Sequence, residues 1–246
     1  MTTWTPPALA SEARAYARLL WRVVETQHTA STMRLVDSLE EQGSLEEVLE
    51  ASKPPLPEAV RTLPYLLATP FRYRPHGGSR FRAALEPGVW YGAEALRTAL
   101  AEKSYWRLRF LLDSPGTPEL KPVPHTAFQA AVRTRAALDL TAEPLVRERA
   151  AWTRPDSYER TQAFAALARA AAIELIRYES VRDPGHAACA AVLDPKVFGR
   201  GKPRSPETWF IAAGRERVRC ARDARGGATW EFDAAQLLAR AAPGRG

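Results

Sequence analysis

Cysteine is nearly absent: Cys189 and Cys220 are the only two. That is too few for a disulfide framework, and the pair is expected to be buried thiols in a reducing cytosol. Lysine is also scarce, with only Lys53, Lys103, Lys121, Lys196 and Lys202. The formal charge of +7 is therefore almost entirely arginine. These arginines are spread along the chain, and the densest stretch, 215–225, is interrupted by Glu216 and Asp223. Dispersed charge of this kind argues against direct nucleic-acid binding. No apolar run approaches the roughly 18–20 residues that span a bilayer, so no membrane partner is expected. The first residues, Met-Thr-Thr-Trp-Thr-Pro-Pro, lack a basic segment followed by an apolar one. No signal peptide is therefore expected, and the expected location is the cytoplasm.

Several cofactor and nucleophile motifs are missing as well. No G-x-G-x-x-G follows a strand, which argues against a Rossmann site. Gly201-Lys202 lacks the upstream glycine and the following Ser or Thr of a phosphate-binding P-loop. There is no H-E-x-x-H, no C-x-x-C and no G-x-S-x-G elbow. His28, His76, His125 and His186 are scattered without metal-ligand spacing, so no metal site is expected.

What is present is an ordinary globular composition, 46% hydrophobic and 26% charged over 246 residues, enough for one domain or one domain with an extension. Leu9, Ala13, Tyr16, Leu20 and Val23 recur at steps of three and four, which predicts an amphipathic helix over 8–28 with Ser11 near its start. Helical character continues over 32–42 and 45–51, where Ser44 and Glu47 have capping-box spacing. Lys53-Pro-Pro-Leu-Pro57 stops it. Residues 1–57 thus read as an N-terminal helical extension packed on a core, and 58–246 as the main domain. Within that domain, 65–69, 71–73, 88–91 and 105–112 read as strands, and 93–103 as a helix. Residues 125–138 fit strand or helix. A capping-box pattern at Asp156 and Glu159 opens a helix to about Ala172. Residues 173–179, 187–193, 208–212 and 217–222 read as short strands, and 233–241 as a helix. This is an α+β pattern without regular βαβ alternation.

The densest unusual segment runs from Thr69 to Glu102. It holds Gly78-Ser-Arg-Phe-Arg82, Gly88-Val-Trp-Tyr-Gly92 and Thr98-Ala-Leu-Ala-Glu102. Farther on, Ile176-Arg-Tyr-Glu-Ser-Val-Arg182 places Ser180 just beyond a strand. Taken singly, Arg80 reads as a surface ion pair, Tyr91 as a core aromatic, Glu102 as a solvated helix-end carboxylate and Ser180 as a turn residue. Arg72, Arg74, Arg82 and Arg182 read as surface charge. The ordered set is more specific. It resembles the RES domain, a family whose pattern is an arginine in a Gly-x-Arg-aromatic turn, a tyrosine ending a strand, a glutamate in an Ala-rich helix and a later serine after a strand. An earlier family arginine falls on Arg22 within Leu20-Trp-Arg-Val-Val-Glu25, beside Trp21. The chain departs from the common Gly-Gly-Arg-Trp-Asn turn with Gly-Ser-Arg-Phe-Arg.

The resemblance implies an ADP-ribosyltransferase-like core of short, mainly antiparallel strands flanked by helices. It also implies an enzyme acting on NAD as the toxin of a toxin–antitoxin pair, by phosphorolysis with inorganic phosphate as co-substrate or by hydrolysis. The implied partner is an Xre-like helix-turn-helix antitoxin that occludes the site. Breaking the nicotinamide–ribose bond builds cationic charge on the ribose, and nicotinamide leaves neutral. A carboxylate is therefore required beside the developing charge, a role for Glu102. Arg80, supported by Arg22, suits the pyrophosphate or phosphate. Tyr91 offers a ring face and a hydroxyl, and Ser180 a hydroxyl for ribose or phosphate. Catalytic roles thus fall on Arg80, Tyr91 and Glu102, and substrate binding on Arg22 and Ser180. Two alternatives stay open: a protein ADP-ribosyltransferase using the same site, and a non-catalytic nucleic-acid or protein-binding module. The association state is also open, as a homo-oligomer or a complex with the antitoxin.

Overall fold

The computed structural model describes residues 3–26 and 38–238. Helix α1 (Pro6–Ser11) is capped by Thr5, whose hydroxyl accepts from the Ala8 amide. It is followed by strand β1 (Arg14–Glu25), helix α2 (Leu39–Ala51), helix α3 (Tyr65–Arg72) and strand β2 (Trp90–Ala93). Next come helix α4 (Leu96–Leu112) and the long strand β3 (Leu120–Asp139). Helices α5 (Arg149–Trp152) and α6 (Glu159–Ala170) cross to β4 (Leu175–Glu179) and β5 (Ala188–Val192). The chain continues through β6 (Arg204–Ala213), β7 (Arg217–Arg222), β8 (Thr229–Asp233) and α7 (Ala234–Leu238).

The sheet order is β1-β2-β5-β4-β3-β6-β7-β8, with β1 also pairing β3. Strands β1, β2, β5, β4 and β3 therefore close on themselves, and β6–β8 extend the sheet beyond β3. Among the described residues only the β3–β4 pair is parallel; the architecture is α+β with a mainly antiparallel sheet. Strand β3 holds both parts together. Its first half pairs with β6, and β1 runs along it from Glu25↔His125 to Arg14↔Ala137.

The expected helix over 8–28 is corrected: residues 14–25 are a strand. The run Leu19-Leu-Trp-Arg-Val-Val24 is aromatic and β-branched, and pairing with β3 over its whole length outweighs the helical spacing of a few apolar residues. Two further readings are reversed. Residues 65–72 are helix α3, burying Leu67, Ala68 and Phe71 on one side. Residues 105–112 continue α4, burying Leu100, Ser104, Tyr105, Leu108 and Leu111 at helical spacing. The predicted caps also move. Ser38, not Ser44, caps α2 by accepting from the Glu41 amide, and α6 begins without a side-chain cap. Residues 125–138 resolve as strand, and β8 has no counterpart in the sequence reading. The ends of the helices expected over 8–28, 32–42 and 233–241, with His28, lie outside the described residues.

Three apolar layers carry the packing. Phe164 of α6 packs with Phe81, Trp152 and Ile176. Leu20, Trp90, Phe128 and Phe198 fill the space beside the closed strands. Leu100, Leu108, Trp209 and Phe232 lie between α4 and β6–β8. Cys189 and Cys220 are free and buried. Among the described residues no helix is long and apolar enough to cross a membrane.

Candidate active site

A cavity of about 330 Å³ opens between β1, β2 and α4. Arg22, Arg80, Tyr91 and Glu102 all line it, so four of the five residues read from the sequence converge on one space. Each is placed by a different element.

Arg80 sits in a tight turn in which Ser79 and Arg82 exchange backbone hydrogen bonds at 2.8 and 3.2 Å. Helix α6 clamps this turn, because Gln162 Nε2 donates to the carbonyls of Ser79 and Arg82. A Cβ at Gly78 would lie 2.6 Å from that amide nitrogen, so a side chain there would displace Gln162 from the turn. The Tyr91 hydroxyl closes the turn from the other side, accepting from the Phe81 amide at 3.0 Å and sharing a 2.8 Å bond with the Ser79 hydroxyl. Burial pushes the Tyr91 phenol above its ordinary range, so it remains protonated. Arg80 Nη1 donates to the carbonyls of Trp152 and Arg154, and the guanidinium lies over the Tyr158 ring.

Arg22 enters from β1. Its Nη1 donates to the Tyr91 carbonyl at 2.8 Å and its guanidinium lies over Trp90. Its Nε is buried without a partner. Burial brings its pKa down to about 10, which leaves it cationic at neutral pH.

Glu102 projects from α4 into the cavity. Its Oε1 accepts a 2.7 Å hydrogen bond from Ser180. Ser180 is fully buried and does not line the cavity. Its oxygen also accepts from the amides of Arg182 and Asp183, at 3.3 and 2.9 Å. Ser180 thus reaches the site through Glu102. The backbone amides fix the hydroxyl, and the hydroxyl fixes one carboxylate oxygen, which leaves Oε2 for the cavity. Burial raises the Glu102 pKa, while Ser180, Arg80 and Arg182 oppose that rise.

Arg182 and Arg82 are not surface charges as expected. Arg182 is 5% exposed, lines the cavity, donates to the Pro155 carbonyl and stacks 3.8 Å over Tyr105. Arg82 is buried against the carbonyls of Pro75, Gly77 and Ala83. Lys103, Trp106, Tyr158 and Tyr178 also line the cavity and were missed, and Trp21 lines it beside Arg22. One available signal was Arg182 two residues after Ser180. Another was the spacing Ala99, Glu102, Lys103, Trp106, which shows one face once α4 is taken through to residue 112. The cavity therefore sets one carboxylate among Arg22, Arg80, Lys103 and Arg182, an electropositive pocket suited to an anionic ligand. Among the described residues, no three His, Cys, Asp or Glu side chains gather as a metal-ligand group.

A model of the RES domain matches residues 55–212. The chain belongs to the RES domain family. Arg80, Tyr91, Glu102 and Ser180 lie inside the matched span, whereas Arg22 lies before it. A search of curated proteins finds no match. Among solved structures, the RES domain chain is similar to one in the crystal structure of the M. tuberculosis MbcT–MbcA toxin–antitoxin complex. The identity is 13%, the match covers 80% of this chain and 90% of that chain, and the TM-score is 0.47.

Proposed function

We propose that this RES domain protein is an NAD-cleaving toxin enzyme of the cytoplasm that breaks the nicotinamide–ribose bond, with inorganic phosphate or water as the acceptor. The observation that carries the reading is the Glu102 carboxylate, held at Oε1 by a buried serine and ringed by cations in one cavity. When the bond breaks, its electron pair goes to the nicotinamide nitrogen, and positive charge passes to the ribose carbon. Glu102 Oε2 stabilises that charge in a partly buried site, where the interaction is stronger than in bulk solvent. A phosphate oxygen then bonds to the carbon to give an ADP-ribose phosphate, or water bonds and releases a proton to give ADP-ribose. Arg80, Arg182 and Arg22 offer guanidinium forks to the diphosphate and to an incoming phosphate. The Tyr91 and Tyr178 rings flank the space for nicotinamide. Ser180 acts as a positioning residue, holding Glu102 rather than touching substrate. An Xre-like helix-turn-helix antitoxin covering the cavity mouth is the partner this reading calls for.

The test is NAD consumption by the purified protein with and without phosphate, beside Glu102→Ala, with label on the ADP-ribose half. Phosphate-dependent turnover that falls about 10²–10³-fold in the variant identifies phosphorolysis. Turnover independent of phosphate, with soluble ADP-ribose, identifies hydrolysis, and label entering protein identifies ADP-ribosyl transfer. NAD left intact in every condition, acceptor proteins included, removes the enzyme reading and leaves a binding module.

A further inference from the structure

Helix α4 supplies more than Glu102. Ala99, Glu102, Lys103 and Trp106 fall at i, i+3, i+4 and i+7, and all four line the cavity. Side chains at this spacing share one helix face, so they form a stripe along the cavity wall. Exposure rises along it. Ala99 is buried, Glu102 and Lys103 are half-buried, and Trp106 is 53% exposed. The stripe therefore runs from floor to mouth, with Trp106 about 6 Å along the helix axis from Glu102. Trp106 thus presents a large exposed aromatic at the rim of the cavity. Its ring meets the neighbouring Tyr105 ring edge-on, at 5.2 Å.

The cavity is also small for a dinucleotide. At about 330 Å³ it lies at the lower end of the ~300–1,000 Å³ typical of ligand pockets. If the reacting ribose sits at Glu102 and nicotinamide fills the floor against Tyr91, the rest of the molecule has to leave through the mouth. The groups met on the way out along α4 are a cation and then an aromatic face. A dinucleotide presents matching groups in the same order, a diphosphate and then a base.

We infer that the adenosine half of the substrate lies at the cavity mouth along α4, with Lys103 joining the arginines that hold the diphosphate and the adenine stacked on Trp106. This rests on the NAD reading above and adds a specificity element to it. The site would distinguish a dinucleotide from a mononucleotide by what binds at the rim, while chemistry occurs one helical turn inside.

The test compares the wild-type protein, Trp106→Ala and Trp106→Phe in NAD cleavage, in cleavage of nicotinamide mononucleotide, and in inhibition of NAD cleavage by AMP. Loss of a base–aromatic stack is expected to raise both KM for NAD and Ki for AMP about tenfold in Trp106→Ala. The preference for NAD over the mononucleotide in kcat/KM falls by a similar factor. Trp106→Phe keeps most of both, because a ring remains. An unchanged KM and Ki in Trp106→Ala overturns the inference. So does a loss shared equally by both substrates, which would mean the ring only shapes the cavity. A wild-type protein that leaves NAD intact removes the NAD reading itself, a result reached without any variant.

Discussion

Glu102 is held between opposing influences. Burial penalises its charge, while Ser180, Arg80 and Arg182 favour it, and burial is the largest of these. The folded-state pKa is therefore above the unfolded one, so the ionised carboxylate costs stability at pH values above both. Glu102→Gln keeps an oxygen for the Ser180 hydroxyl and removes the buried charge. It should lower turnover about as far as Glu102→Ala does, by about 10²–10³-fold, and raise Tm at neutral pH. The gain should shrink as pH falls through the Glu102 pKa, where the wild-type group becomes neutral too. Thermal unfolding across pH reads this, and a Tm that drops at neutral pH would place Glu102 among the residues that hold the fold. The residues flanking it show what sequence could give at this scale. Arg80, Tyr91, Glu102 and Ser180 were legible because each has a recognisable local setting in a fixed order. The contact between Ser180 and Glu102 was not, because it joins α4 to the loop after β4 across many residues of chain. Arg182 was misread for a related reason. Its burial against Tyr105 depends on packing that no local pattern encodes.

At the scale of elements, the helix–strand reversals have a common cause. In β1, α3 and the second half of α4, short apolar runs fit both periods, and tertiary pairing or burial decides between them. Strand β3 shows the same physics at His125, which is fully buried beside the facing β1 and β6 registers Glu25↔His125 and His125↔Trp209. Its Nδ1 bonds the Val123 carbonyl at 2.9 Å, so Nδ1 carries the proton, and Nε2 is left buried without a partner. Burial, with Lys103 and Arg107 nearby, brings its pKa down to about 4, and the bond to Val123 only partly offsets this. The ring is neutral in the fold, whereas the unfolded chain takes up a proton from about pH 6.5 downward. Its contribution is therefore intact above about pH 6.5 and lost as pH falls towards about 4, up to roughly 3 kcal/mol. His125→Asn retains a donor for Val123 and cannot titrate. Denaturant unfolding should show a flatter loss of stability in acid for this variant, and an unchanged acid slope would exclude His125 as the source.

For the molecule as a whole, the question is where the folding unit begins. The family match starts at residue 55, and the sequence pattern likewise set residues 1–57 apart, as an N-terminal extension packed on the core. The topology argues otherwise for residues 14–25. Strand β1 joins β2 to β3 and so closes the five-strand ring. It inserts fully buried Leu20 among Trp90 and Phe128 and brings Arg22 to the Tyr91 carbonyl. Removing β1 would expose the edges of β2 and β3 together, leave the apolar space beside Trp90 unfilled and take one wall from the cavity. Loss of a large buried side chain alone costs about 2–5 kcal/mol, a sizeable share of the 5–15 kcal/mol that holds a typical domain. Open strand edges add a route to aggregation. A chain beginning at residue 55 should therefore be recovered largely insoluble, without a cooperative thermal transition. Supplying residues 3–26 as a separate peptide should restore some soluble protein, and with it the NAD turnover proposed above, through the β1–β3 register. A soluble, cooperatively melting and active fragment from residue 55 onward would show instead that β1 is an accessory strand and that the site does not need Arg22.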